Sequence, residues 1–232
     1  MAFFPTRHFS QFCRVLEADR EAKKSNKQKA LRMTQHVFPA YQALYAQNAD
    51  RKYLNAEERQ RFLVAARQAA PDVRTLCETL LFTGCRVTEA LNLSPATIQT
   101  REGVIAIRSL KKRERTVIRE VPIPITLVDL LVTTHQLDRQ RSSADCTYLW
   151  PWHRGHAWRQ VKQVMAAAEI AGTHACPRGL RHGFGVHAIR SGVPLTLVQR
   201  WLGHAALSTT AIYLHAIGPE ERLFAERMWA GL

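Results

Sequence analysis

Acidic residues are scarce in this sequence: 19 Asp and Glu stand against 33 Lys and Arg, a formal charge of +14. Lysine is scarce too, supplying only 8 of those 33 cations and leaving 25 to arginine. A small acidic substrate needs one or two cations, so an excess of this size points to a polyanion, either nucleic acid or an anionic membrane surface. Arginine pairs with phosphate through two hydrogen bonds and does not titrate away, which tilts the reading toward phosphate recognition. A generally basic surface is the plain alternative. No stretch approaches the roughly 18 apolar residues of a membrane span, and Met1-Ala2-Phe3-Phe4-Pro5 is followed by polar sequence. The chain therefore reads as soluble and cytoplasmic.

Cysteines are few, odd in number and scattered: Cys13, Cys77, Cys85, Cys146 and Cys176, never as C-x-x-C. Free thiols in a reducing compartment are expected, not a disulfide framework. His153 and His156 lie close together, yet no carboxylate or cysteine stands beside them at ligand spacing, so no metal site is expected. No acidic cluster for magnesium and no G-x-x-x-x-G-K-[ST] loop occurs, so no nucleotide cofactor is expected either.

Residues 1–52 carry ten Lys/Arg and four Asp/Glu, a net +6, with Lys23, Lys24, Lys27 and Lys29 clustered. They read as a basic helical N-terminal arm, with a solvated tail as the alternative. Residues 53–232 read as one domain. Asn55 with Glu58 forms a capping-box pattern that opens a helix running to about Ala70. After Pro71 a second helix runs to Thr83-Gly84, and a short third begins at Cys85-Arg86. The period then changes: Val104 to Ile107 and Thr116 to Val121 read as a β-hairpin whose turn is nearly all charge. Helices follow from Leu127 to His135, from about His156 to Ala171, from Pro177 to Arg190, and from Pro194 to Gly203. Ser208 or Thr209 caps a short helix holding Tyr213, and Glu220 to Trp229 closes the chain as an amphipathic helix. The fold class is mainly α with a small antiparallel β-sheet, α+β.

Thr83-Gly84-Cys85-Arg86-Val87-Thr88-Glu89-Ala90-Leu91, then Gly179-Leu180-Arg181-His182-Gly183-Phe184, then Leu202-Gly203-His204, then Ser208-Thr209-Thr210-Ala211-Ile212-Tyr213 come in the order and spacing of one family's boxes. The sequence resembles the tyrosine recombinases, or phage integrases, from about Lys52 onward. That resemblance implies a recombinase catalytic-domain fold and a site-specific enzyme that cuts and rejoins duplex DNA without metal or ATP.

It further implies that Tyr213 attacks the scissile phosphate to give a 3′-phosphotyrosyl link, while Arg86, Arg181 and His204 hold the non-bridging oxygens. Lys111, with Lys112 as the alternative one residue on, would protonate the leaving 5′ oxygen. Glu89 would orient Arg86. Arg178 departs from the family, which usually has His or Lys there. A guanidinium does not lose its proton, so Arg178 is assigned to transition-state charge and the Tyr213 proton to another route such as water.

Lys112, Arg113, Arg115, Arg154, Arg159 and His182 are expected to contact DNA, whereas Trp152 and Trp158 are expected to pack. By the same resemblance the protein acts as a homo-oligomer on DNA, a tetramer, and is nucleoid-associated; helix 220–229 either closes over its own core or, as the resemblance implies, docks on a neighbour. Full-length family members usually carry a helical core-binding domain roughly twice the size of residues 1–52, which implies a short member. Three readings stand beside this one: a helix-turn-helix around Arg181-His182, a non-catalytic DNA-binding regulator, and a type IB topoisomerase-like relaxing enzyme.

Overall fold

The computed structural model describes residues 44, 45, 50–109, 117–137, 148–216, 226 and 228–230. All belong to the larger of two units in the chain, Ala43–Leu232. The expected arm falls almost wholly outside them, as do the hairpin turn and most of the terminal helix.

Helix α1 (Ala56–Arg67) opens on the expected capping box: Asn55 Oδ1 accepts the Glu58 N–H at 2.8 Å, and Glu58 Oε2 accepts the Asn55 N–H at 3.0 Å. It ends before Ala70 because Gln68 and Ala69 bond back only three residues, and Ala70, forced extended by the proline after it, leaves the helix. Pro71 then starts α2 (Pro71–Thr83) at a position that needs no N–H. Gly84 closes α2 at φ 61°, and a Cβ there would come within 2.6 Å of the Phe184 ring, so both backbone and space demand glycine. Helix α3 (Val87–Ala90) follows at once, with Arg86 as its N-cap residue.

The sheet has three antiparallel strands in the order β1 (Ile98–Gln99), β2 (Val104–Ser109) and β3 (Val117–Pro122). Strand β1, absent from the sequence reading, is two residues long and shows no period of its own; it forms by pairing Ile98 with Ile105. In β2 and β3 the inward positions are Ile105, Ile107, Arg119 and Val121, with Ile107 paired to Arg119. Helix α4 (Ile125–His135) begins two residues ahead of expectation, with Pro124 as its N-cap residue. Helix α5 (Arg154–Ala167) likewise starts early, because His153 Nδ1 accepts the Gly155 N–H at 3.2 Å and caps it.

Helices α6 (Pro177–Arg190), α7 (Leu195–Leu202) and α8 (Ser208–Ala211) follow. The chain then tightens into a 3₁₀ turn, Ile212–Ala216, so that Tyr213 lies on this turn and not on the expected short helix. Two apolar clusters hold these elements. The larger gathers Phe62, Leu76, Leu80, Ile105, Leu127 and Val161, and the smaller gathers Tyr53, Phe184, Val186, Val198, Leu202 and Tyr213. Helix α6 serves both, giving Leu180 to the first and Phe184 to the second. Each such side chain contributes about 1.5–3 kcal/mol by leaving water. Among the described residues, no helix is long and apolar enough to cross a membrane.

Candidate active site

Two left-handed turns lie beside α6, Gly84 after α2 and Gly203 after α7. Arg181, buried in the second turn of α6, ties them together. Its Nη1 donates to the Gly84 carbonyl at 2.8 Å and its Nη2 to the Leu202 carbonyl at 2.7 Å. Burial and the nearby Arg86 charge push its pKa down to about 10, so it stays charged at neutral pH.

Arg86 is held from below. Glu89 Oε1 accepts from Arg86 Nη1 at 2.7 Å, and Glu89 Oε2 accepts the Arg86 main-chain N–H at 2.9 Å. Glu89 is fully buried, which alone would raise its pKa. The hydrogen bonds and charges of Arg119 and Arg86 outweigh burial and lower it.

Tyr213 is 1 % exposed, yet it lines a cavity of about 650 Å³. Burial pushes its phenol up to about 12 against the opposing pull of Arg181, Arg86 and Arg178. Two histidine rings flank it. The His204 ring lies nearly parallel to the phenol, 6.2 Å between centres, with Nδ1 3.0 Å from Thr210 Oγ1. The His182 ring is tilted, with Nδ1 3.3 Å from Tyr213 Oη. Burial, then the charges of Arg181 and Arg86, take His204 down to about 3; burial, then Arg178, Arg181 and Lys52, take His182 to about 4. Both rings are neutral at pH 7.

The same cavity is lined by Arg86, Arg154, Arg178, Arg181, His182, His204 and Tyr213, so the structure brings together seven residues singled out in the sequence. Arg154 and Trp158 of α5 form its other wall. Trp158 is not the packing residue expected of it: it is 45 % exposed, with the Lys162 ammonium 5.9 Å from its ring centre. Trp152 does pack on the larger cluster. Arg159 lies exposed on the same helix, outside the cavity lining. His182 is buried, with both ring nitrogens against protein groups. Lys111, Lys112, Arg113 and Arg115 lie outside the described residues. Among those described, no group of three or more His, Cys, Asp or Glu could hold a metal ion. Cys77, Cys85 and Cys176 are free thiols.

Residues 52–218 match the phage integrase family. The chain belongs to this family. It is 36 % identical over 159 residues to the tyrosine recombinase XerD of Brucella abortus (biovar 1, strain 9-941), a match that covers 65 % of this chain and 50 % of that protein. The chain spans about half the length of the curated relatives it matches. Among solved structures, that of the XerA recombinase superposes with a TM-score of 0.63 at 26 % identity, covering 76 % of this chain and 64 % of the other. The XerH site-specific recombinase bound to its difH substrate gives 0.63 at 22 % identity over 82 % of this chain and 62 % of that one, a likeness of fold.

One residue of this integrase-family site escaped the sequence reading. Arg119 of β3 is buried, and its Nη2 donates to Glu89 Oε2 at 2.6 Å, its Nε to the Trp201 carbonyl at 2.7 Å and its Nη1 to Ser109 Oγ at 3.0 Å. It joins the support of Arg86, the turn before His204 and the end of β2. Strand alternation carried the signal, because Arg119 shares its face with Val121, where a charge needs a buried partner.

Proposed function

We propose that the protein is a site-specific recombinase that cleaves and rejoins duplex DNA through a 3′-phosphotyrosyl intermediate, with neither ATP nor metal. The convergence of Arg86, Arg181, His204 and Tyr213 on one cavity carries this reading. Tyr213 Oη attacks the scissile phosphorus in line with the 5′ oxygen. Positive charge already fixed around the phosphate stabilises the charge that develops on the non-bridging oxygens, and pre-positioned donors of this kind are worth more than mobile ones. Arg86 and Arg181 supply it as guanidinium forks, His204 as a neutral donor, and Arg178 as added charge at the rim. Lys111, or Lys112, gives a proton to the departing 5′ oxygen. The phosphotyrosyl bond conserves the energy of the broken phosphodiester, so a 5′-hydroxyl can reverse the step unaided.

Beyond the scissile phosphate, Arg113, Arg115, Arg154 and Arg159 track the DNA, and the basic residues 1–52 add to this footprint as an arm distinct from the catalytic domain at 53–232. Such binding weakens steeply with salt. The protein works as a homo-oligomer, a tetramer on two paired sites in the nucleoid. Helix 220–229 docks on a neighbour; the exposure of Met228 and Trp229 supports this. The test is a suicide duplex nicked so that the cleaved fragment diffuses away. Wild type should give a covalent protein–DNA adduct resistant to denaturant, and Tyr213→Phe none. An adduct from Tyr213→Phe, or none from wild type on a verified site, refutes the reading.

A further inference from the structure

His182 makes a hydrogen-bond contact with the nucleophilic oxygen, and the direction of that contact follows from its neighbours. Its Nε2 lies 3.3 Å from Arg178 Nε and its Nδ1 3.3 Å from Tyr213 Oη. An arginine Nε carries one hydrogen and offers no lone pair, so it can only donate. His182 Nε2 must therefore accept and is unprotonated. A neutral imidazole in that position carries its hydrogen on Nδ1, the nitrogen that faces Tyr213.

The ring's surroundings keep it neutral. Arg178 and Arg181 face it from its own helix, Lys52 from the segment before α1, Tyr213 from the 3₁₀ turn, and His204 from the turn after α7. None of these is acidic. Burial and three fixed cations hold the imidazole at about pKa 4, so across neutral pH it is a donor to the phenol and not a cation.

We propose that His182 is a catalytic residue of the strand-transfer site, donating its Nδ1–H to Tyr213 Oη so as to aim that oxygen and to carry its negative charge during rejoining. The inference rests on the strand-transfer reading of Tyr213. During cleavage the Oη–phosphorus bond forms, the bond to the 5′ oxygen breaks with a proton from the hairpin lysine, and the phenol proton passes to water in the cavity. During rejoining the 5′-hydroxyl attacks, its proton returning to that lysine. The phosphorus–Oη bond breaks, and the electron pair stays on Oη under the Nδ1–H donor until water returns the proton. His182 exchanges no proton in either direction. Arg178 sets its tautomer.

The test has two arms, both on the full chain. The first is nitrogen-15 NMR of histidine-labelled protein at pH 7, with the His182 ring assigned by its loss in His182→Asn. The hydrogen should sit on Nδ1, and Arg178→Met should let the ring shift toward the other tautomer. The second is single-turnover cleavage of the suicide duplex. His182→Leu, which has no donor, should cleave on the order of 100-fold slower, the usual cost of one pre-positioned donor. His182→Asn, whose side-chain amide stands near the Nδ1 position, should stay within about tenfold of wild type, with the DNA affinity of each variant measured by fluorescence anisotropy and cleavage compared at saturating duplex. A hydrogen on Nε2, an imidazolium at pH 7, cleavage by His182→Leu at the wild-type rate, or a loss of cleavage explained by lost DNA affinity each overturns the role. If His182→Leu does not fold, the NMR of wild type still decides the contact. A wild type with the Nδ1–H ring that makes no adduct on a verified site refutes strand transfer itself, and the role with it.

Discussion

The guanidinium of Arg119 and the carboxylate of Glu89 meet at 2.6 Å, both buried, from positions 30 residues apart in the chain. Glu89 in turn holds Arg86 at 2.7 Å, so the placement of one proposed phosphate clamp depends on a charge pair beneath it. Breaking a buried pair by removing one partner leaves an uncompensated charge and costs about 3–5 kcal/mol. Arg119→Met should lower the free energy of urea unfolding by that order. Adduct formation should also fall in the fraction that remains folded, because Glu89 then swings toward solvent and takes Arg86 with it. An unchanged unfolding midpoint would show that Glu89 needs only Arg86. Glu89 titrates below its ordinary range when folded, so the stability it adds is present above about pH 4.5 and is lost as pH falls through its lowered value.

Buried His182 and half-buried His204 predict a higher window. His182 is held at about 4 and His204 at about 3, against about 6.5 in the unfolded chain. The unfolded state therefore binds more protons below pH 6.5. The stability these rings contribute is complete above that pH and declines as pH drops toward 4. His182 alone sets a slope of about 1.4 kcal/mol per pH unit within the window, and the more open His204 adds less. Urea unfolding at pH 7, 6 and 5 measures the slope, which His182→Asn should flatten.

Gly185 of α6 lies directly against the Tyr213 ring. A Cβ built at this position falls 2.5 Å from Tyr213 Cε2 and 2.6 Å from Cζ, too close for the ring to stay where it is. Gly185→Ala should displace the phenol and cut single-turnover adduct formation at least tenfold. DNA affinity should hold, since Arg86 and Arg181 are untouched. Wild-type cleavage by Gly185→Ala would mean that the ring reacts from a different position.

The general-acid proposal separates two neighbouring lysines. If Lys111 protonates the 5′ oxygen, Lys111→Ala should cleave ordinary DNA about 10²–10⁴-fold slower, the usual range for a positioned acid. A duplex with sulfur bridging at that 5′ position leaves as a thiolate, which needs no proton because thiols are far more acidic than alcohols. That duplex should restore Lys111→Ala to near the wild-type rate. Restoration of Lys112→Ala instead would move the role one residue on.

Much of the architecture was legible because it is local. The Asn55–Glu58 box, the Pro71, Pro177 and Pro194 starts and the Gly84 and Gly203 stops each depend on bonds within one turn, so their residue types announce them. Strand β1 was not legible, since two residues carry no period and the pairing with β2 alone makes them a strand. Trp158 misled for a related reason. Its spacing with Val161 and Met165 suits a buried stripe, but the helix turns it to the cavity wall, where it is 45 % exposed.

Four short boxes, whose order and spacing can be read with no knowledge of packing, identify the family and with it the candidate residues Arg86, Arg181, His204 and Tyr213. What those residues touch depends on how the chain folds. Arg181 reaches a carbonyl 97 residues away, Arg119 one 82 residues away, and His182 a hydroxyl 31 residues away. Hydrogen bonds require convergence to about 3 Å, and over such separations that convergence comes from α6 being wedged between two apolar clusters, which no local pattern of residues encodes.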